Sequence, residues 1–184
     1  TLQVYLAQLV WGDWKGFPDV DTAFVHVSRK AGGAFLFAVV SGALLVARKP
    51  AALRTLHALL RDGEVQKSYL TLLSGRWELG RKRVDVPLRT DARVSGERTV
   101  KADAGGKQAL TEFRLIEQIA GRASLMEATL HTGRTHQIRV HAAYCGHPVA
   151  GDEKYGDEVF NDELRRLGLR RMFLHAHSCS FQWP

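Results

Sequence analysis

Two cysteines in 184 residues are too few for a disulfide framework, and Cys145 and Cys179 lie far apart with no C-x-x-C spacing. That excludes a stapled secreted scaffold and a zinc finger, and two reduced thiols are expected. Long apolar runs are missing as well. A membrane helix needs roughly 18 to 20 uninterrupted apolar residues. The longest apolar region, Ala34 to Val46, is interrupted by Ser41 and Gly42 and reads as buried strand. The first residues carry neither a basic start nor a small-residue cleavage site, so no signal peptide is expected and a cytoplasmic location is. Internal repeats and low-complexity linkers are lacking too, which makes one domain over residues 1–184 the expected organisation.

Acidic side chains are in deficit. The 19 Asp and Glu face 26 Lys and Arg, for a net charge of +7 and a pI near 9.7. Such an excess points to a polyanionic partner, because neutralising phosphates releases condensed counterions and drives binding. Apolar residues at 45% and charged residues at 24% are otherwise ordinary for a globular chain.

From Gly42 onward the pattern of elements is clear. Ala43 to Ala47 predicts a buried strand. Pro50 opens a helix at a position where its missing amide costs nothing, Gly63 closes it, and Leu53, Leu56, Leu59 and Leu60 share one face. Gln66 to Ser74 predicts a strand carrying Tyr69, and Val84 to Leu88 a short one, followed by a loop or hairpin to Gly106. Leu110 to Ile116 and Leu125 to Leu130 are further strands. Helices are expected from Thr135 to Tyr144 and from Val159 to Leu167, the second with Phe160, Leu164 and Leu167 inward. Phe173 to Phe181 closes the series as a strand. Residues 1–33 offer only the alternating run Phe24-Val25-His26-Val27, read as one strand. Strands outnumber helices and adjoin in hairpin-like pairs, so the expected class is α+β, with a mixed, mainly antiparallel sheet flanked by helices.

The chemistry concentrates in His131-Thr132-Gly133-Arg134-Thr135-His136-Gln137-Ile138-Arg139-Val140-His141. Gly133 permits a sharp turn between a strand and a helix, and Thr132 and Thr135 are candidate caps of the helix start. Arg134 and Arg139 have the fork geometry to grip phosphate or carboxylate at two points, although an Arg/His-rich helix also suits a solvated face. The three histidines are no metal set. A spacing of five places them at successive angles of roughly 140° on a helix. His175 and His177 share a strand face without a third ligand, so no metal is expected. The next segment, Gly146-His147-Pro148-Val149-Ala150-Gly151-Asp152-Glu153-Lys154-Tyr155-Gly156, has the glycines and proline of a rigid surface loop.

Together these two segments resemble the last signature motif of the RluA/RluC-type ribosomal-RNA pseudouridine synthases. Gln66-Lys67-Ser68-Tyr69-Leu70 resembles that family's short motif with an active-site tyrosine. Ser41-Gly42-Ala43-Leu44-Leu45-Val46-Ala47-Arg48-Lys49 resembles the second half of its catalytic motif. The tail, from Phe160-Asn161 to Leu167-Gly168 and through Arg171-Met172-Phe173-Leu174-His175-Ala176, looks most like the RluC branch. The resemblance runs over residues 41–184 in order and implies a pseudouridine-synthase catalytic domain. Such an enzyme isomerises specific uridines of 23S ribosomal RNA without metal or cofactor, and is expected here as a monomer. The target base is extruded from its stack into a pocket. By the same resemblance Tyr69 lies against the flipped base, and Arg134 pairs with an essential aspartate. RNA contacts are expected from Arg134, Thr135, His136, Gln137, Arg139, His147 and Lys154.

One departure stands out. Where the family reads His-Arg-Leu-Asp-x-Asp-Thr before Ser-Gly, this chain has Ala34-Phe35-Leu36-Phe37-Ala38-Val39-Val40, with Phe37 in the aspartate's register. Phenylalanine is neither a nucleophile nor a partner for Arg134. Three readings follow: an inactive RNA-binding relative, a sequence from which the aspartate's segment is missing, or an aspartate arriving from elsewhere. For the last, Pro18-Asp19-Val20-Asp21-Thr22 echoes the string but no Ser-Gly follows it. The second reading is favoured. Val27 to Gly32 weakly resembles the strand end that precedes the family's catalytic motif, and only 8 residues, 33 to 40, then separate it from Ser41.

Overall fold

The computed structural model describes residues 38–40, 43–45, 47, 49–92 and 98–184. Phe37, the echo at residues 18–22 and the strand expected at residues 24–27 lie outside them. The chain divides into two compact units, residues 1–65 with 181–184, and residues 66–180.

In the first unit, β1 (Ala38–Val40) pairs antiparallel with β2 (Ala43–Leu45), Val39 opposite Leu44. Helix α1 (Pro50–Arg61) starts at Pro50 as expected, after Lys49 in extended backbone. Leu56 and Leu59 are its buried residues, and Asp62 caps its end by donating its backbone N–H to the Ala58 carbonyl.

The second unit is built on five strands in the order β4 (Lys82–Asp85), β7 (Leu110–Ile119), β8 (Ala123–Leu130), β3 (Gln66–Ser74), β9 (Leu174–Ser180). Every pairing among these described strands is antiparallel. Side chains that alternate along the strands form a row of buried groups across four of them. Phe113 faces Ala128, Ala128 faces Tyr69, and Tyr69 faces Ala176, none more than 6% exposed. Phe113, Leu73 and Met126 are completely buried, each worth about 1.5–3 kcal/mol of burial.

Helix α2 (Gln137–Tyr144) covers this face through Thr111, whose hydroxyl meets both Gln137 and His141. His141 is held neutral: burial lowers its pKa against the smaller opposing effect of the Val86 carbonyl. Its Nε2 lies 2.9 Å from that carbonyl and therefore carries the proton. Helix α3 (Glu158–Arg166) serves the other face, where Phe160, Leu164 and Leu169 pack on Leu72, Ala123 and Ala150. Leu167, expected inward, is 83% exposed. The helix has ended at that residue, and Leu169, beyond the Gly168 turn, points inward instead.

The single strand expected over Val84 to Leu88 is two strands. β4 stops at Asp85 and β5 (Leu88–Ala92) starts after Pro87, which has no amide to give a ladder. β5 pairs with β6 (Arg98–Ala102), so the polar stretch is a hairpin at its base. Gly106 must be glycine there, because a Cβ would lie 2.4 Å from the Leu88 carbonyl carbon.

Candidate active site

Leu130, the last residue of β8, pairs with Lys67 near the start of β3. The turn that follows, residues 131–136, is therefore delivered to the Lys67–Tyr69 end of the sheet. Its shape is held by Gln137. The side-chain amide donates to the Leu110 carbonyl and the Thr111 hydroxyl, both at 3.0 Å. Its carbonyl accepts from the Thr132 hydroxyl at 2.8 Å and from the Arg134 amide at 2.9 Å. All four capacities of the amide are used inside the protein, and Gln137 is 2% exposed. The sequence placed it among RNA contacts; the structure makes it the bracket of the turn. Neither threonine caps α2. His136 occupies the cap position in left-handed backbone (φ 53°) with no side-chain cap bond, while Thr132 accepts the Leu110 amide as it donates to Gln137.

Arg134 is exposed, and its Nε donates to the Gln108 carbonyl at 3.0 Å. Lys67 leans on the same turn: a Cβ on Gly133 would be 3.2 Å from its Nζ. Tyr69, two residues along β3, shares the face of Lys67 by strand alternation. Opposite Ser68 and Tyr69 the register of β9 slips from Ser178 to Ala176, leaving His177 as the extra residue of a bulge. Such bulges re-aim neighbouring side chains. Tyr69 is 5% exposed. Burial first, and the nearby Cys179 second, push its pKa up to about 12, so it remains a neutral phenol able to donate a proton. Tyr69 and Arg134 are thus brought to the same end of the sheet. Thr135 is exposed on the turn beside Arg134.

Arg139 is committed elsewhere. Its Nε and Nη2 donate to the two carboxylate oxygens of Asp152, each at 2.7 Å, and its guanidinium stacks 4.8 Å from the Tyr155 ring centroid. Burial alone acts to raise the Asp152 pKa. The Arg139 hydrogen bonds, the Tyr155 and Lys154 amides and the Arg139 charge outweigh it and bring the pKa below the ordinary carboxylate value. The Tyr155 hydroxyl lies 3.0 Å from His136 Nδ1 and accepts the Val100 amide at 2.9 Å, linking the turn to hairpin β5–β6.

His147 is not brought to the turn. Its Nδ1 lies 2.9 Å from the Ser74 carbonyl and its ring 5.0 Å from that of Trp77, at the far end of β3. Lys154 follows Asp152 in the loop and donates its backbone amide to Asp152 Oδ1 at 2.9 Å. Sequence reasoning gave no role to Lys67, Asp152 or Tyr155. Lys67 was accessible by alternation with Tyr69, whereas the Arg139–Asp152 pairing carried no local signal.

Over residues 38–144 the sequence matches the RNA pseudouridylate synthase family. The chain belongs to that family. Its relatives include the ribosomal large subunit pseudouridine synthase C of Haemophilus ducreyi, 49% identical over 144 residues, covering 78% of this chain and 45% of that protein. The protein of the same name from Pasteurella multocida is 50% identical over 144 residues, covering 78% and 44%. The chain therefore spans under half the length of these curated relatives. Human RNA pseudouridylate synthase domain containing 1 has a solved structure that superposes with a TM-score of 0.71 at 27% identity, covering 90% of this chain and 75% of that one. The α+β class expected from the motifs is the pseudouridine synthase fold. Among the described residues no helix is long and apolar enough to cross a membrane.

Proposed function

We propose that this chain is the catalytic domain, over residues 1–184, of an enzyme that converts specific uridines of 23S ribosomal RNA to pseudouridine, without metal or cofactor. The observation that carries this reading is the placement of Tyr69 and the Arg134 turn at the same end of the sheet, in a chain whose relatives are named for the large ribosomal subunit. The net charge of +7 supports a phosphate-rich substrate. A monomer working in the cytoplasm fits the reading.

In the reaction the bond from C1′ to N1 of uracil breaks, the base turns, and C1′ joins C5, whose proton is lost while N1 gains one. The base must leave its stack to be reached. Tyr69, a phenol throughout the neutral range, packs against the extruded base and relays a proton. Arg134, with its Nε on the Gln108 carbonyl, directs its remaining guanidinium donors at the family's aspartate and keeps that carboxylate ionised. Lys67 adds a second positive charge beside the turn.

A second reading, an RNA-binding protein without catalysis, is motivated by Phe37 in the aspartate's register. One experiment separates the two: intact mass with peptide sequencing across residues 1–50, then a pseudouridine assay on unmodified large-subunit rRNA. Product formed, with an aspartate found in an added segment, is the expected result. A mass matching all 184 residues and no product would overturn the enzyme reading in favour of the second.

A further inference from the structure

The loop after α2 and the segment before β9 are pressed together at Gly151. A Cβ there would lie 2.4 Å from the Arg171 carbonyl oxygen, and the backbone is in the left-handed region (φ 73°). Backbone bonds seal the contact on one side: Phe173 donates its amide to the Ala150 carbonyl at 2.8 Å. On the other side the two segments diverge into an open cleft of about 410 Å³ that reaches His136, two residues from Arg134. Four cationic residues, Arg139, Lys154, Arg170 and Arg171, line it together with two acidic ones, Asp152 and Glu153.

Those charges are not equivalent. Asp152 is spent on Arg139 in a bidentate pair that is part of the wall. Arg170 and Arg171 are exposed, and neither is ion-paired with any described residue. The cleft therefore carries an excess of positive charge, and its two uncommitted guanidinium groups sit on a backbone locked by Gly151. A planar guanidinium is suited to two-point binding of phosphate oxygens.

We propose that this cleft holds the phosphodiester backbone of the RNA strand flanking the target uridine, with Arg170 and Arg171 gripping the phosphates. The proposal rests on the reading of the chain as an RNA pseudouridine synthase and gives that reading a path for the strand. RNA leaving the Arg134 turn passes His136 and enters the cleft, where phosphate contacts set its register without reading sequence. Arg139, paired to Asp152, shapes the wall and makes no phosphate contact.

The test is the salt dependence of binding of the full chain to unmodified large-subunit rRNA. Three double variants are compared with the parent: Arg170→Ala/Arg171→Ala, Arg170→Lys/Arg171→Lys, and Arg76→Ala/Arg122→Ala, which removes two exposed charges at the Ser74–Ala123 end of the sheet. Losing two phosphate contacts should flatten the slope of log K against log salt by about 1.4 to 1.8. That flattening is expected in the cleft alanine variant, with affinity lost uniformly across RNA sequences. The lysine variant should keep most of the slope, which also shows that the segment folds. An unchanged slope in the cleft alanine variant, or an equal loss in the Arg76/Arg122 variant, overturns the cleft while leaving the enzyme reading intact if the parent still makes product. A parent that neither binds nor modifies the RNA overturns both.

Discussion

Arg139 and Asp152 close on each other through two parallel hydrogen bonds of 2.7 Å, with the Asp152 side chain fully buried and that of Arg139 16% exposed. The pair joins the middle of α2 to the loop after it. Asp152 Oδ1 also accepts the Lys154 and Tyr155 amides, and the Asp152 carbonyl accepts from the Asn161 side chain at the start of α3. A guanidinium that looks from the sequence like a phosphate grip is thus the keystone of the loop that borders the turn.

Removing the negative charge leaves a desolvated arginine without its partner. Asp152→Asn should destabilise the protein by about 3–5 kcal/mol, the usual cost of breaking a buried pair on one side. The sign with pH follows from the shift: the folded pKa lies below the unfolded one. The carboxylate's contribution is therefore present above the unfolded pKa and fades as pH falls through the folded one. Urea unfolding across an acid series should show a flatter acid limb in the variant. Equal stability of the two proteins at neutral pH would refute the keystone role.

Tyr69 should ionise well above the ordinary phenol range. With its pKa near 12, an ultraviolet titration should show a late-ionising phenol that Tyr69→Phe removes. The unfolded chain would ionise this phenol near pH 10, so its contribution to stability is whole below that pH and is lost as pH rises through the folded value. The phenylalanine variant keeps the buried ring and should fold. Its turnover should fall by about two orders of magnitude or more if the hydroxyl relays a proton, and near-normal product would dismiss that role.

Gln137→Ala should loosen the turn before it unfolds the domain. The substitution leaves the Arg134 amide without its acceptor and takes one donor each from the Leu110 carbonyl and the Thr111 hydroxyl, at a cost of about 1–3 kcal/mol. Hydrogen exchange should report the change directly, with the Arg134 amide losing protection while amides in the middle of β8 keep theirs. Retained protection at Arg134 would show that the bracket is not needed.

Two glycines of the same loop should respond differently to alanine. At Gly156 a Cβ would fall 1.9 Å from the Asp152 carbonyl oxygen, so the backbone must move and the Arg139 pair with it. At Gly146 nothing lies within 4 Å, and only its left-handed backbone (φ 79°) resists, costing roughly 1–2 kcal/mol. Thermal unfolding should therefore rank Gly156→Ala well below Gly146→Ala. The reverse order would contradict the packing described for the loop.

Much of the fold was legible because its signals are local. The strands expected at Gln66 to Ser74, Leu125 to Leu130 and Phe173 to Phe181 are β3, β8 and β9, and Pro50 and Gly63 bracketed α1. The stretch that forms β5–β6 was left open between loop and hairpin, because the hairpin's stability comes from Leu88, Val100, Ala109 and Val140 meeting across four separate segments. Leu167 misled for a related reason: helical spacing continued one residue past the point where the helix ended.

At the site the division is sharper. Motif order by itself determined the family, the strand–turn–helix setting of Arg134 and the strand position of Tyr69, because each depends on neighbours within a few residues. Only the tertiary structure decided which polar groups are spent. Arg139 meets Asp152 thirteen residues away, and Gln137 meets Leu110 and Thr111 on strand β7. His147 is drawn to Trp77 at the far end of β3. A buried donor must find an acceptor or bear its desolvation cost, and which acceptor is near enough depends on how distant segments pack.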